Sequence, residues 1–170
     1  MGEKKNTTTS TADREISITR IFDAPRELVW KVWTEPKHIA HWWGPKGFTN
    51  TIYRMDVRPR GVWQFIMHGP DGVDYPNKVI YNEVKEPERL FYDHGEPGDP
   101  SYFQVTVTFD DAAGKTKLTM TMLFTTTEGR NLVAEKYGAV EGLKQNMDKL
   151  GKYLAKIHFT TKGAKDAKIS

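Results

Sequence analysis

The stretch FQVTVTFDDAAGKTKLTMTMLF, Phe103 to Phe124, decides the architecture. Its first half sets Phe103, Val105, Val107 and Phe109 on one side of an extended chain, against Gln104, Thr106 and Thr108 on the other. Its second half repeats the pattern, with Leu118, Met120, Met122 and Phe124 opposed to Thr119 and Thr121. Side chains alternate across a strand, so a period of two with one apolar face marks an antiparallel sheet covered on one side only. Ala112-Ala113-Gly114 joins the halves as a turn. The apolar face must have a cover.

That cover follows at once. From Glu128 to Ile157 the apolar residues Leu132, Val133, Tyr137, Val140, Leu143, Met147, Leu150, Leu154 and Ile157 recur every three or four positions. This spacing predicts one amphipathic helix of up to about 45 Å at 1.5 Å per residue. Its other face carries Glu135, Lys136, Glu141, Lys144, Lys149, Lys152 and Lys156, a solvated surface. Gly129, Gly138, Gly142 and Gly151 interrupt it, at about 1 kcal/mol each, and mark where its backbone approaches a neighbour closely.

Upstream, EISITRIF predicts a strand beginning near Glu15, followed by Asp23 as a cap and Pro25 in the first turn of a helix through Leu28, Val29, Val32 and Trp33. Glu35-Pro36 interrupts, and PKHIAHWW forms a second short helix that Gly44-Pro45 stops. FTNTIYRMDV, VWQFIMH, VDYPNKVIYNEV and RLFYDHG then read as strands separated by the turns RPRG, GPDG and KEPE. Residues 1–14 are polar and Thr-rich and read as a flexible segment; residues 158–170 read as a flexible basic tail. The order is therefore strand, two short helices, six strands, long helix. It predicts a single α+β domain over residues 15–157, a curved antiparallel sheet wrapped around a C-terminal helix, the helix-grip arrangement.

Composition limits the function. Apolar content of 38% and charged content of 28% in 170 residues suit one globular domain with one core. No apolar run reaches the roughly 20 residues of a membrane span, so membrane insertion is not expected. No secretory leader is recognisable. The absence of cysteine excludes disulfides, thiolate zinc sites and cysteine nucleophiles, and the cytoplasm is the expected location. A net charge of +3 without a basic stripe argues against nucleic acid.

Little in the chain is poised for catalysis. His38 and His41 share a helix face, while His68 and His94 end strands, and no HExxH or carboxylate-histidine cluster suggests a metal. Asp71, in PDG, is a turn residue. Glu83 and Asp93 are the carboxylates an acid–base enzyme would use. Because no poised acid or base stands out, the expectation is binding without catalysis, cofactor or metal. In the Trp42-Trp43 pair, neighbours on a helix diverge by about 100°. Trp43, four residues after Ile39, is expected in the core and Trp42 at the rim of the grip.

The helix ending in HWWGP, the strand and turn VWQFIMHGPDG, and the segment EVKEPERLFYDHG together resemble the bacterial branch of proteins similar to the C-terminal domain of the activator of Hsp90 ATPase. That branch belongs to the START-like, polyketide-cyclase superfamily. The resemblance runs from about Glu15 to about Ile157 and implies the helix-grip fold, with a cavity between sheet and helix. Two readings of the inner wall stand: plain core, or a pocket for a hydrophobic or aromatic small molecule lined by Trp42, Trp63, Phe65, Met67, Tyr81, Tyr92, Phe103, Val105, Met120, Met122, Tyr137, Val140, Leu143 and Met147. Methionine adapts to irregular guests, and Gln64 and the tyrosines would orient one. The family also implies two alternatives: a protein-interaction module in a chaperone or stress context, and a cyclase or aromatase. The co-chaperone's extra N-terminal domain has no counterpart in the 14 residues before the first strand. Nothing in the pattern fixes the oligomeric state.

Overall fold

The computed structural model describes the backbone of residues 7–10, 13–136 and 138–169, and the side chains of 13–136 and 138–157. The described strands are β1 (Thr7–Ser10), β2 (Glu15–Phe22), β3 (Thr49–Met55), β4 (Val62–His68), β5 (Asp74–Lys85), β6 (Arg89–His94), β7 (Phe103–Ala112) and β8 (Lys115–Phe124). The helices are α1 (Arg26–Thr34), α2 (Pro36–Ile39), α3 (Thr127–Asn131) and α4 (Ala139–Ile169). The strands form one antiparallel sheet in the order β1-β2-β8-β7-β6-β5-β4-β3. From β3 to β8 each strand pairs with its successor, while β2 joins the other end of the run through β8, Glu15 opposite Leu123 and Phe22 opposite Thr116.

The alternation in 103–124 is the pattern of burial observed. Phe103, Val105, Val107 and Phe109 are buried, and Leu118, Met120, Met122 and Phe124 meet them across the ladder. Serine and threonine line the outer face, where Ser17 bonds Thr121 and Thr19 lies 3.3 Å from Thr119.

Three local expectations change. Residues 1–14 were expected to be structureless, yet Thr7–Ser10 pairs with β2, so the sheet has an additional edge strand. At the other end the helical backbone continues through the expected flexible tail to Ile169. The single helix over 128–157 is two: after α3 the backbone widens into a π turn at Leu132–Lys136, then breaks at Gly138, whose φ is +59°. A left-handed residue cannot propagate a right-handed helix, so α4 starts afresh, with Gly142 N donating to Gly138 O.

Asp23 does not cap α1: Pro25 holds that position, in extended geometry, and no side chain bonds the first turn. At the other end, Glu35 N donates to Lys31 O, but the next nitrogen belongs to Pro36 and has no hydrogen. Val32 O is therefore left without a helical donor. The indole Nε1 of Trp42 supplies one at 3.1 Å. α1 lies over the β7–β8 end of the sheet, with Trp30 and Trp33 edge-on to Phe109 at 5.2 and 5.7 Å. α4 buries Met147, Leu150 and Leu154, and Arg20 of β2 bonds its Asp148 at 2.6 Å. Gly151 lets the helix approach Phe22.

Candidate functional site: the concave face and the loop that clamps it

Two cross-strand rows make the centre of the concave face. One runs Trp63, Val79, His94, Phe103, Phe124 through β4, β5, β6, β7 and β8. The other runs Tyr81, Tyr92, Val105, Met122 and reaches Ile16 of β2. Trp63 stacks on Phe65 at 4.3 Å, and Tyr81 meets Tyr92 edge-on at 5.8 Å. The wall is apolar in composition but not inert. Trp63 Nε1 and the Tyr92 hydroxyl are buried with no hydrogen-bond partner. Burial pushes the Tyr92 hydroxyl up, and Tyr81 likewise, with Tyr92 adding to it. Both therefore stay protonated and neutral.

His94 sits half-buried in the same face, its ring 4.6 Å from Phe103. Asn77 donates through Nδ2 to Tyr75 O at 2.8 Å, so its Oδ1 is the acceptor facing His94 Nε2 at 2.8 Å. That geometry puts a proton on Nε2, as the neutral imidazole in that tautomer supplies. Burial lowers the His94 pKa to about 4, in keeping with it. The concave face thus combines aromatic bulk with several neutral polar groups.

The loop after α2 closes one end. Trp42 and Trp43 both bond back to Ile39 O in tight turns, and Gly44 follows with φ +100°. The two indoles do diverge, but core lies on both sides of the loop. Trp42 packs on Trp33 at 4.9 Å, and Trp43 on Trp63 at 5.0 Å. The expectation of Trp42 at the rim is overturned: it is 0% exposed and Trp43 6%. Helix α4 grips the same loop through three neighbouring side chains. Asn146 Oδ1 accepts from Gly44 N, Gln145 Oε1 from Lys46 N, and Lys149 Nζ donates to Pro45 O and Phe48 O. Burial lowers the Lys149 pKa, and the two carbonyls offset part of its desolvation.

The residues expected to line the grip differ in depth. Trp42, Trp63, Phe65, Tyr81, Tyr92, Phe103, Val105, Met120, Met122, Leu143 and Met147 are buried. Met67 and Val140 are half-buried, and Tyr137 lies outside the described residues. Gln64, a candidate for orienting a ligand, faces outward and is exposed. The polar members His94, Asn77 and Asn50, whose Nδ2 donates to Trp43 O at 2.7 Å, carry no mark in the apolar pattern. A usable signal exists for His94, because Leu90, Tyr92 and His94 share one strand face.

The other candidates fall outside the grip. Glu83 is exposed and bonded to Arg89 at 2.6 Å. Asp93 faces away from Tyr92 and His94, toward the Tyr102 hydroxyl and Gln104 amide that bond it. His38 and His41 bracket Tyr153 of α4, the first by a 2.6 Å hydrogen bond and the second by stacking. Burial lowers the His38 pKa against the opposing pull of Glu35. Among the described residues no three His, Asp or Glu side chains come together to hold a metal ion. Asp71 accepts from Val73 N, as a turn residue does. No helix among the described residues is long and apolar enough to cross a membrane.

Residues 23–155 match the family described as Activator of Hsp90 ATPase homolog 1-like protein. No curated protein matches the sequence. Among solved structures, a protein from Arthrobacter aurescens superposes with a TM-score of 0.80 at 24% identity, covering 88% of this chain and 91% of its own. A protein from Nitrosomonas europaea gives 0.77 at 25% identity over 86% and 97%. The AHSA1-like protein from Aeromonas hydrophila gives 0.69 at 22% identity over 85% and 94%. The sheet, the two short helices after β2 and the long C-terminal helix are the architecture of these relatives, and the chain belongs to the Activator of Hsp90 ATPase homolog 1-like family.

Proposed function

We propose that the protein binds a neutral hydrophobic or aromatic small molecule between the concave face and α4. The observation that carries this reading is the pair of buried, unpartnered donors, Trp63 Nε1 and the Tyr92 hydroxyl, in an otherwise apolar wall. Leaving such a group unpaired costs about 1–3 kcal/mol, which a guest oxygen recovers on binding. Charge in the guest is disfavoured, because the wall has only neutral partners to give it. Native mass spectrometry of freshly purified protein, followed by denaturation and identification of what is released, tests the reading. The expected result is a stoichiometric apolar molecule, with binding weakened by Trp63→Phe and Tyr92→Phe. A clean apo mass, joined to no thermal shift across a panel of lipids and aromatic compounds, overturns it.

A second reading, docking to a chaperone, has one observation in its favour. Tyr53, Val73 and Tyr75 are 65%, 46% and 39% exposed, at the β3 edge and the β4–β5 turn. Co-precipitation of Hsp90 that Tyr53→Ser abolishes, with an empty grip, would decide for it.

A further inference from the structure

The outer face of the sheet carries a second cluster, independent of the grip. Thr51, His68 and Asp74 stand on β3, β4 and β5, three neighbouring strands. Asp74 Oδ1 lies 2.7 Å from His68 Nδ1, and His68 Nε2 lies 2.7 Å from Thr51 Oγ1. An ionised carboxylate only accepts, so Nδ1 carries the proton, and in the neutral imidazole Nε2 is left to accept from the threonine hydroxyl. The ladder builds this line: His68 is directly opposite Asp74, and Thr51 is opposite Ile66, two residues before His68 on the same face. The order hydroxyl, imidazole, carboxylate is that of a nucleophile, its base and the group that orients the base. Thr51 and Asp74 are exposed and the His68 side chain is 35% exposed, so a substrate reaches all three.

A place for a substrate lies beside them. An open depression of about 310 Å³ is lined by Ile66, the cross-strand partner of Thr51, by Tyr53 further along β3, and by Pro76, with Lys78 and Glu96 among its polar lining. β3 is also an edge strand, and alternate backbone N–H groups of an edge point outward unpaired, the donors that a developing oxyanion takes.

We propose that Thr51, His68 and Asp74 form a nucleophilic relay that transfers the acyl group of a small carboxylic ester to water, with the depression seating the ester. Thr51 Oγ attacks the carbonyl carbon as its proton passes to His68 Nε2. The new Oγ–C bond forms, the bond to the alcohol oxygen breaks, and His68 returns the proton to the leaving alkoxide. Water then attacks the acyl-threonine, giving its proton to His68. The Oγ–acyl bond breaks, the carboxylic acid departs and Thr51 is reprotonated. No redox partner is needed. Thr51 and His68 touch the reacting atoms; Asp74 is a positioning residue.

The test uses p-nitrophenyl acetate with the full chain. The expected result is release of p-nitrophenolate faster than with an equal concentration of free imidazole, and an acetyl adduct that peptide mapping places on Thr51. Thr51→Val and His68→Gln each lower the rate by about 100-fold or more, the range of a lost base or nucleophile, while Thr51→Ser retains it. Asp74→Asn slows acylation and Asp74→Glu restores it, a rescue that a merely structural role would not require. All these positions are at the surface, and unchanged melting temperatures confirm that each variant folds. A Thr51→Val variant as fast as the parent, an adduct on any other residue, or a parent no faster than imidazole overturns the proposal.

Discussion

Replacing Trp42 by Phe and, separately, Trp33 by Phe separates a hydrogen bond from the packing around it. Both indoles are buried, at 0% and 1% exposure, and their rings touch at 4.9 Å. The smaller ring costs each site on the order of 1–2 kcal/mol of packing. Their polar ends differ. Trp42 Nε1 donates to Val32 O, which Pro36 cannot serve, so Trp42→Phe leaves a buried carbonyl unpaired at about 1–3 kcal/mol. Trp33 Nε1 has no partner, so Trp33→Phe removes an unsatisfied donor and regains part of its packing loss. Trp42→Phe should therefore be less stable than Trp33→Phe by at least about 1 kcal/mol. Urea unfolding followed by far-UV circular dichroism measures this, provided that the two variants share one m value. Equal losses, or a larger loss for Trp33→Phe, would refute the role of Trp42 as the terminal donor of α1.

Three further outcomes follow from the geometry. His94 has a folded pKa of about 4 against an unfolded value of 6.5, so the unfolded chain binds the extra proton between those values. Its contribution is complete above about pH 6.5 and falls by about 3 kcal/mol as pH drops toward 4, a slope that His94→Phe should flatten in pH-dependent denaturation. Gly138→Ala places a side chain in a left-handed conformation at φ +59°, although nothing crowds its Cβ. The expected loss is about 1 kcal/mol, detectable as a lower melting temperature, and an unchanged one would mean that the break is not held by this residue. Gly61→Ala is different in kind: its Cβ would lie 1.9 Å from Asp56 O, so the β3–β4 turn must rearrange. Loss of about 3 kcal/mol or more, or failure to fold, is expected in the same thermal assay.

The fold was legible wherever one face of an element meets solvent and the other meets core. Phe103–Phe124 alternates because only one side of that ladder is covered, and the pattern can be read without any partner in view. The strands β5 and β6 are harder, since Val79, Ile80 and Tyr81 hide the parity and β5 bulges between Tyr81 and Glu83. That ambiguity concealed the inward direction of His94 and the outward direction of Asp93. Trp42 was misplaced for another reason. Helical angles predict where neighbouring side chains diverge, but not that core lies on both sides of a loop. The break at Gly138 was equally invisible, because an apolar period survives a change of helix axis. The partners of the WWGPKGF loop, Gln145, Asn146 and Lys149, lie about a hundred residues away in sequence. No local rule connects them.

The pairing of β2 with β8 has a consequence for how the chain assembles as it is synthesised. Strands β3 to β7 each find a partner in the hairpin next to them, so they can order as soon as they emerge. The strand made early, β2, pairs on that side with β8, about a hundred residues later. Until Lys115–Phe124 has left the ribosome, β2 has only the short β1 strand to pair with, and α1 has no completed β7–β8 surface to cover. Helix α1, with Trp30 and Trp33, must therefore wait for the last strands to complete its seat. A nascent chain stopped before Lys115 is a natural client for any holding factor that recognises exposed aromatic segments.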